Sequence, residues 1–123
     1  MPKTTIIVLS DPNAGDEALG RMFNALAAAY DFKRRQHPVQ VVFQGTGTRW
    51  IDVLTKPDHP VHPLYKAVED TVDGASAGCA DFFGAREEIE SAGVPLIADN
   101  AVPGTAGLPS VAQYLADGPV LTF

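Results

Sequence analysis

Short apolar runs alternate along this chain with stretches of helical periodicity, and that alternation constrains the fold more than any other feature. Thr4 to Leu9 is a continuous β-branched and aliphatic run, the pattern of a strand buried on both faces. Ser10 to Gly15 breaks it with proline, asparagine and glycine. The next stretch places Leu19, Met22, Phe23, Leu26, Tyr30 and Lys33 on one helical stripe. Asn13 is a candidate N-cap for it, with Asp16 in the first turn, where an acid is favoured. His37-Pro38 ends that helix, because the residue before a proline leaves the α region.

The pattern then repeats. Val39 to Phe43 reads as the second strand, and Gln44 to Trp50 as a loop after it. Pro57, Pro60 and Pro63 recur every three residues, which predicts an extended surface segment leading into a helix with Leu64, Val68 and Val72 on one face. Gly74 to Cys79 is the third strand, built of small residues. The helix after it turns Phe82, Phe83, Ala85, Ile89 and Ala92 inward and stops at Gly93. Val94 to Ala98 is the fourth strand, Asp99 to Gly107 a long turn-rich loop, and Leu108, Val111, Ala112 and Leu115 mark a last helix. Pro119 to Phe123 closes the chain as the fifth strand. Strand–helix alternation of this kind predicts one α/β domain over residues 1–123, with a mainly parallel sheet and right-handed crossovers. The strands are too few for a barrel.

Composition narrows the function classes. The chain has 123 residues, 46% hydrophobic and 20% charged, enough for a single core in a globular protein. Its formal net charge of −6 argues against nucleic-acid and anionic-membrane partners. The one basic run, Lys33-Arg34-Arg35, falls at a helix end, where cations interact favourably with the helix dipole. One cysteine forms no internal disulfide and fits a reducing compartment; with no targeting segment apparent, the expectation is a cytoplasmic protein.

In an open parallel sheet, ligands bind beyond the carboxyl ends of the strands. Four connections reach that edge: Ser10–Gly15, Gln44–Trp50, Cys79–Asp81 and Asp99–Gly107. Cys79 lies at a strand-to-helix junction, where the first helical N–H groups favour a thiolate. A packed, inert thiol is the plainer alternative. Asp81, two residues on, opposes a second negative charge. Gly45, Thr46, Gly47, Thr48 and Arg49 offer backbone N–H groups and a guanidinium to an anion, without the lysine of a Walker A loop or the third glycine of a dinucleotide fingerprint. Trp50 either covers a ligand or packs at a surface or subunit contact. Ser10, Asp11, Asn13, Asp99 and Asn100 are candidate binding residues that also serve as ordinary turn and cap residues. His59 and His62 lack a third ligand for a metal, and no G-x-S-x-G elbow supports serine catalysis.

Ser10-Asp11-Pro12, Gly45-Thr46-Gly47-Thr48-Arg49-Trp50, Gly78-Cys79-Ala80 with the following Gly84, and Asp99-Asn100 together resemble the DsrE/DsrF-like family, over essentially the whole chain. The resemblance implies a three-layer α/β/α domain with a five-stranded, largely parallel sheet, assembled as a dimer, trimer or hexamer. In the sulfur-relay members of that family, a cysteine after the third strand accepts sulfur as a persulfide from a donor protein and passes it to an acceptor. Cys79 matches that position, and no metal or organic cofactor is implied. The chain is closer to the single-chain branch of the family than to the relay subunits, and the Gly45–Trp50 loop and the proline-spaced segment have no relay counterpart. Three readings therefore stand: a sulfur carrier acting through Cys79, a small-molecule or anion-binding module built on the strand-end loops, and a subunit of a larger protein assembly.

Overall fold

The computed structural model describes residues Met1–Phe123. Its strands are β1 (Thr4–Val8), β2 (Val39–Phe43), β3 (Val72–Ser76), β4 (Leu96–Ile97) and β5 (Val120–Thr122). They form one sheet in the order β4-β3-β2-β1-β5, and every pairing is parallel. The helices are α1 (Asp16–Arg34), α2 (Trp50–Leu54), α3 (His62–Val68), α4 (Ala77–Phe82), α5 (Arg86–Ser91) and α6 (Val111–Asp117). None is long and apolar enough to cross a membrane. The expected α/β architecture with five parallel strands is the one observed.

The strand order dictates how the helices are shared between the two faces. From β1 through β4 the chain steps in one direction across the sheet, and right-handed crossovers put each intervening helix on the same face. Only the return from β4 to β5 runs the other way, so α6 alone packs on the opposite face. The result is a lopsided core. On the thick side, Ile6, Val8, Val41, Phe43 and Ala75 of the sheet join α1 to α5 in a cluster of 18 buried residues. On the thin side the cluster is Ile7, Val42, Ile97 and Tyr114. A buried polar pair also lies in the sheet, with Gln40 Nε2 donating to Thr5 Oγ1 at 2.8 Å.

Several local expectations are corrected. The face of α1 that meets the core is Ala18, Met22, Ala25, Leu26 and Ala29, while Leu19, Phe23 and Tyr30 are exposed. Only Met22 and Leu26 of the apolar stripe lie inside. Alanines allow α1 to sit close over the sheet, and the larger residues are rotated outward. Asn13 is not the N-cap; Gly15 holds that position, and the Asn13 N–H donates to Asp11 Oδ1 at 2.9 Å.

The proline-spaced segment is a series of turns rather than an extended strap. Lys56 N donates to Val53 O, His59 N to Lys56 O and His62 N to His59 O, at 3.0–3.3 Å. The two histidines are held separately: His59 Nδ1 accepts from Val61 N, and His62 Nδ1 donates to Leu54 O. In α3 it is Tyr65 and Val68 that are buried, and Val72 already belongs to β3.

The third strand starts and ends earlier than the Gly74–Cys79 run, so Cys79 lies on a helix. The helix beyond it is broken in two at Gly84, whose φ of 68° is a left-handed turn conformation. That break leaves Phe82 72% exposed and Phe83 partly so, against the expectation that both point inward, while Ala85 and Ile89 are buried as expected. In α6 the core residue is Tyr114, and Val111 and Leu115 face outward.

Candidate functional site

The carboxyl ends of β1, β2 and β3 bring three segments to one edge of the sheet: Ser10–Gly15, the 3₁₀ turn Gly45–Arg49 running into α2, and α4. The expected Gln44–Trp50 loop is therefore helical from Gly45 onward. It is fastened to the end of β1 at several points. Trp50 Nε1 donates to Ser10 O at 2.7 Å, and Thr46 Oγ1 donates to Leu9 O at 3.2 Å. Thr48 Oγ1 donates to Gly45 O at 2.8 Å within the turn. A Cβ on Gly47 would stand 2.1 Å from Val8 O, so only glycine lets the turn approach the strand this closely. Trp50 itself is buried in the main core, where it acts as packing.

Arg49 ties the third segment in. Its Nη1 donates to Asp11 Oδ2 at 3.0 Å, its Nε donates to Phe83 O at 3.1 Å, and its guanidinium lies 5.6 Å from the centre of the Phe83 ring. The residue that the sequence offers as an anion ligand thus joins the end of β1, the turn after β2 and the end of α4. Asn13 and Arg49, with Pro12, Asp52, Phe83 and Glu88, border a cavity of about 250 Å³.

Cys79 occupies the first turn of α4. Ser76 ends β3 and caps the helix, its Oγ accepting from Cys79 N at 3.2 Å. The Gly78 N–H donates to Gly107 O at 2.7 Å, so two of the four N–H groups that a helix start leaves free are already used. A Cβ on Gly78 would lie 2.7 Å from Leu108 Cδ1 and 3.1 Å from Gly107 O, which shows how tightly the Asp99–Gly107 loop rests on the helix start. Cys79 is only 8% exposed.

The charge expected to oppose a thiolate here is itself paired. Asp81 receives Arg86 Nε at 2.5 Å and Arg86 Nη2 at 3.1 Å, and the hydrogen bond from Arg86 holds its carboxyl below the usual carboxylate range.

Beside α4 lies a cleft of about 460 Å³, lined by Gly78, Asp81, Phe82, Gly104, Thr105 and Ala106. Cys79 is not among its lining residues. Thr105 and Phe82 carry no signal in the sequence that would place them there. Thr105 is one polar residue in a turn-rich loop, and Phe82 reads as core until Gly84 is seen to break the helix. Asp99 and Asn100 stand at the base of the same loop. Asn100 and Leu108 exchange backbone hydrogen bonds at 2.7 and 2.9 Å, which pinch the loop closed.

The structure thus joins Ser10, Asp11, Thr46, Arg49 and Trp50 in one hydrogen-bonded group, and leaves Asp99 and Asn100 apart from it, at the base of the Asp99–Gly107 loop. Ser10 Oγ and Gln44 Oε1, at the ends of adjacent strands, are buried side-chain atoms without a partner. Gln44 is an addition to the candidate residues, signalled only by a polar side chain directly after an apolar strand.

No family model and no curated protein matches the sequence. Among solved structures, the chain is similar to BT1422, a conserved protein of unknown function from Bacteroides thetaiotaomicron. The identity is 17%, over 99% of this chain and 95% of that one, with a TM-score of 0.67. It is also similar to the ychN protein from E. coli, at 19% identity over 100% of each chain and a TM-score of 0.62. At these identities the likeness is one of fold.

Proposed function

We propose that the protein is a sulfur carrier that accepts sulfur as a persulfide on Cys79 and passes it to an acceptor thiol. One observation carries the reading: the chain's only thiol lies in the first turn of the helix after β3, at the carboxyl edge of a parallel sheet. That is the position to which the DsrE/DsrF-like resemblance assigns the sulfur-bearing cysteine. The chemistry is thiol–disulfide exchange. The Cys79 thiolate attacks the outer sulfur of a donor persulfide, the donor's S–S bond breaks, and the donor departs as a thiolate. Cys79 then holds the outer sulfur and its proton as –S–SH. Attack on that sulfur by an acceptor thiolate returns Cys79 to its thiolate form, and the cycle involves no net oxidation.

The protein's own contribution is the environment of the sulfur. Ser76 Oγ holds the Cys79 N–H at the helix start, and the carboxylate of Asp81, two residues on, is paired with Arg86. A thiol this covered reacts when its surroundings open locally, so loading is slow compared with a free thiol. The competing reading, an anion-binding module centred on Arg49, has less support, because that guanidinium already serves Asp11 and Phe83.

The test is intact mass after incubation with a persulfide donor, for the native chain and for Cys79→Ser. The expected result is a gain of one or more sulfur atoms, reversed by a reductant and absent from Cys79→Ser. A folded native chain that gains no sulfur, with Cys79 alkylated only after unfolding, overturns the carrier reading.

A further inference from the structure

The outward residues of α1 form a partly exposed stripe, along which the Arg34 guanidinium lies 5.7 Å from the centre of the Tyr30 ring. Leu19, Phe23 and Tyr30 are 37%, 47% and 40% exposed, and successive spacings of three or four residues place Asp16, Gly20, Phe23, Ala27, Tyr30 and Arg34 along the same face. Two further features set this face apart from a chance apolar patch. Gly20 sits in the helix interior, where glycine is among the poorest helix formers, yet a Cβ there would meet nothing within 4 Å. No contact inside the chain calls for a glycine. The charged residues at the two ends of the stripe have opposite signs. Asp16 and Arg34 make no ion pair within the chain, unlike Glu17, Arg21, Asp31 and Lys33 of the same helix.

These features fit together when two copies of α1 run antiparallel about a two-fold axis. Placing Asp16 of one copy opposite Arg34 of the other also places Gly20 opposite Tyr30 and Phe23 opposite Ala27. Each aromatic ring then faces a small residue, and each end charge faces its complement, about 27 Å apart along the helix at the usual helical rise. Every pair occurs twice, as an isologous contact requires. We propose that this face of α1 is the contact between two copies of the chain, with Phe23 and Tyr30 as anchors, Gly20 and Ala27 as their seats, and Asp16–Arg34 pairs fixing the antiparallel register. The inference is independent of the chemistry at Cys79.

Sedimentation equilibrium of the native chain and four surface variants tests it, with circular dichroism confirming that each variant is folded. The native chain should contain the dimeric contact. Phe23→Glu should raise its dissociation constant about 30-fold or more, as loss of a central aromatic anchor does. Gly20→Leu has open space and a better helix former in its favour, so it should keep the fold and still weaken association by blocking the approach of Tyr30. Asp16→Arg alone should weaken association about fivefold, and combining it with Arg34→Asp should restore it. A native chain that stays monomeric overturns the proposal. So does an oligomer unaffected by Phe23→Glu and Gly20→Leu, which would use another surface. Failure of the double charge reversal to recover overturns the antiparallel register.

Discussion

The two faces of the sheet are made from similar strand residues but are covered very differently. On one face, five helices seal the core of 18 residues around Phe43, Trp50, Ile51 and Tyr65. On the other, Ile7, Val42 and Ile97 lie under a single seven-residue helix that contributes Tyr114. The apolar character of the strands does not distinguish the faces; β1 and β2 supply buried residues to both. The distinction comes from topology. Three successive crossovers in one direction load one side, and a single return crossover must cover the other. A strand pattern that reads as buried on both faces therefore says nothing about how deeply each face is buried.

Substitutions can sharpen or break this comparison. The largest effect is expected at Trp50, whose ring is buried on the thick side and whose Nε1 donates to Ser10 O. Trp50→Ala should cost about 3–5 kcal/mol in chemical denaturation, through the cavity and the lost hydrogen bond. On the thin side, Ile97→Ala should cost about 2 kcal/mol, because a two-residue edge strand can relax toward the void. Equal losses at the two positions would mean that the faces are energetically alike, and topology would not be the deciding factor.

The smallest effect has the opposite sign. The hydroxyl of Tyr114 is buried with no hydrogen-bond partner, so Tyr114→Phe should stabilise the protein by about 1 kcal/mol. Burial first, and then the charges of Asp73 and Asp99, push this phenol up from 10.0 to about 12. The folded state therefore holds the proton more tightly than the unfolded chain. That contribution is intact below pH 10 and is lost as pH rises through about 12. The thermal midpoint should fall across this interval, and fall less in Tyr114→Phe. Burial also raises the phenol of Tyr65, on the thick side, so part of the fall should persist in that variant. An identical pH profile in the native chain and Tyr114→Phe would show that the thin side does not shield its tyrosine.

At the strand-carboxyl edge, the sequence indicated which segments would meet, but not how their side chains would be used. Arg49 and Trp50 stand beside two glycines after a strand, a setting that suits a ligand loop. The structure directs both toward the chain itself, one to Asp11 and Phe83 and the other into the core. No local pattern carries that information, because each partner lies more than thirty positions away in sequence. Cys79 was legible as a thiol at a junction, yet the helix start that carries it is fixed by the Asp99–Gly107 loop resting on Gly78, another long-range contact.

The sequence by itself determined the alternation of strand and helix, the five strands and their parallel arrangement, and breaks such as His37-Pro38 and Gly93. Those features follow from backbone preferences and from apolar periods of two to four residues, which act over one or two turns. Tertiary structure alone decided which side of α1 meets the sheet. Leu19, Phe23 and Tyr30 carry more apolar surface than Ala18, Ala25 and Ala29, but the alanine face is the one buried. The space between α1, the sheet and its neighbouring helices admits small side chains with Met22 and Leu26 and leaves the bulkier ones outside, and close packing of a core is set by the shape of that space as much as by hydrophobicity.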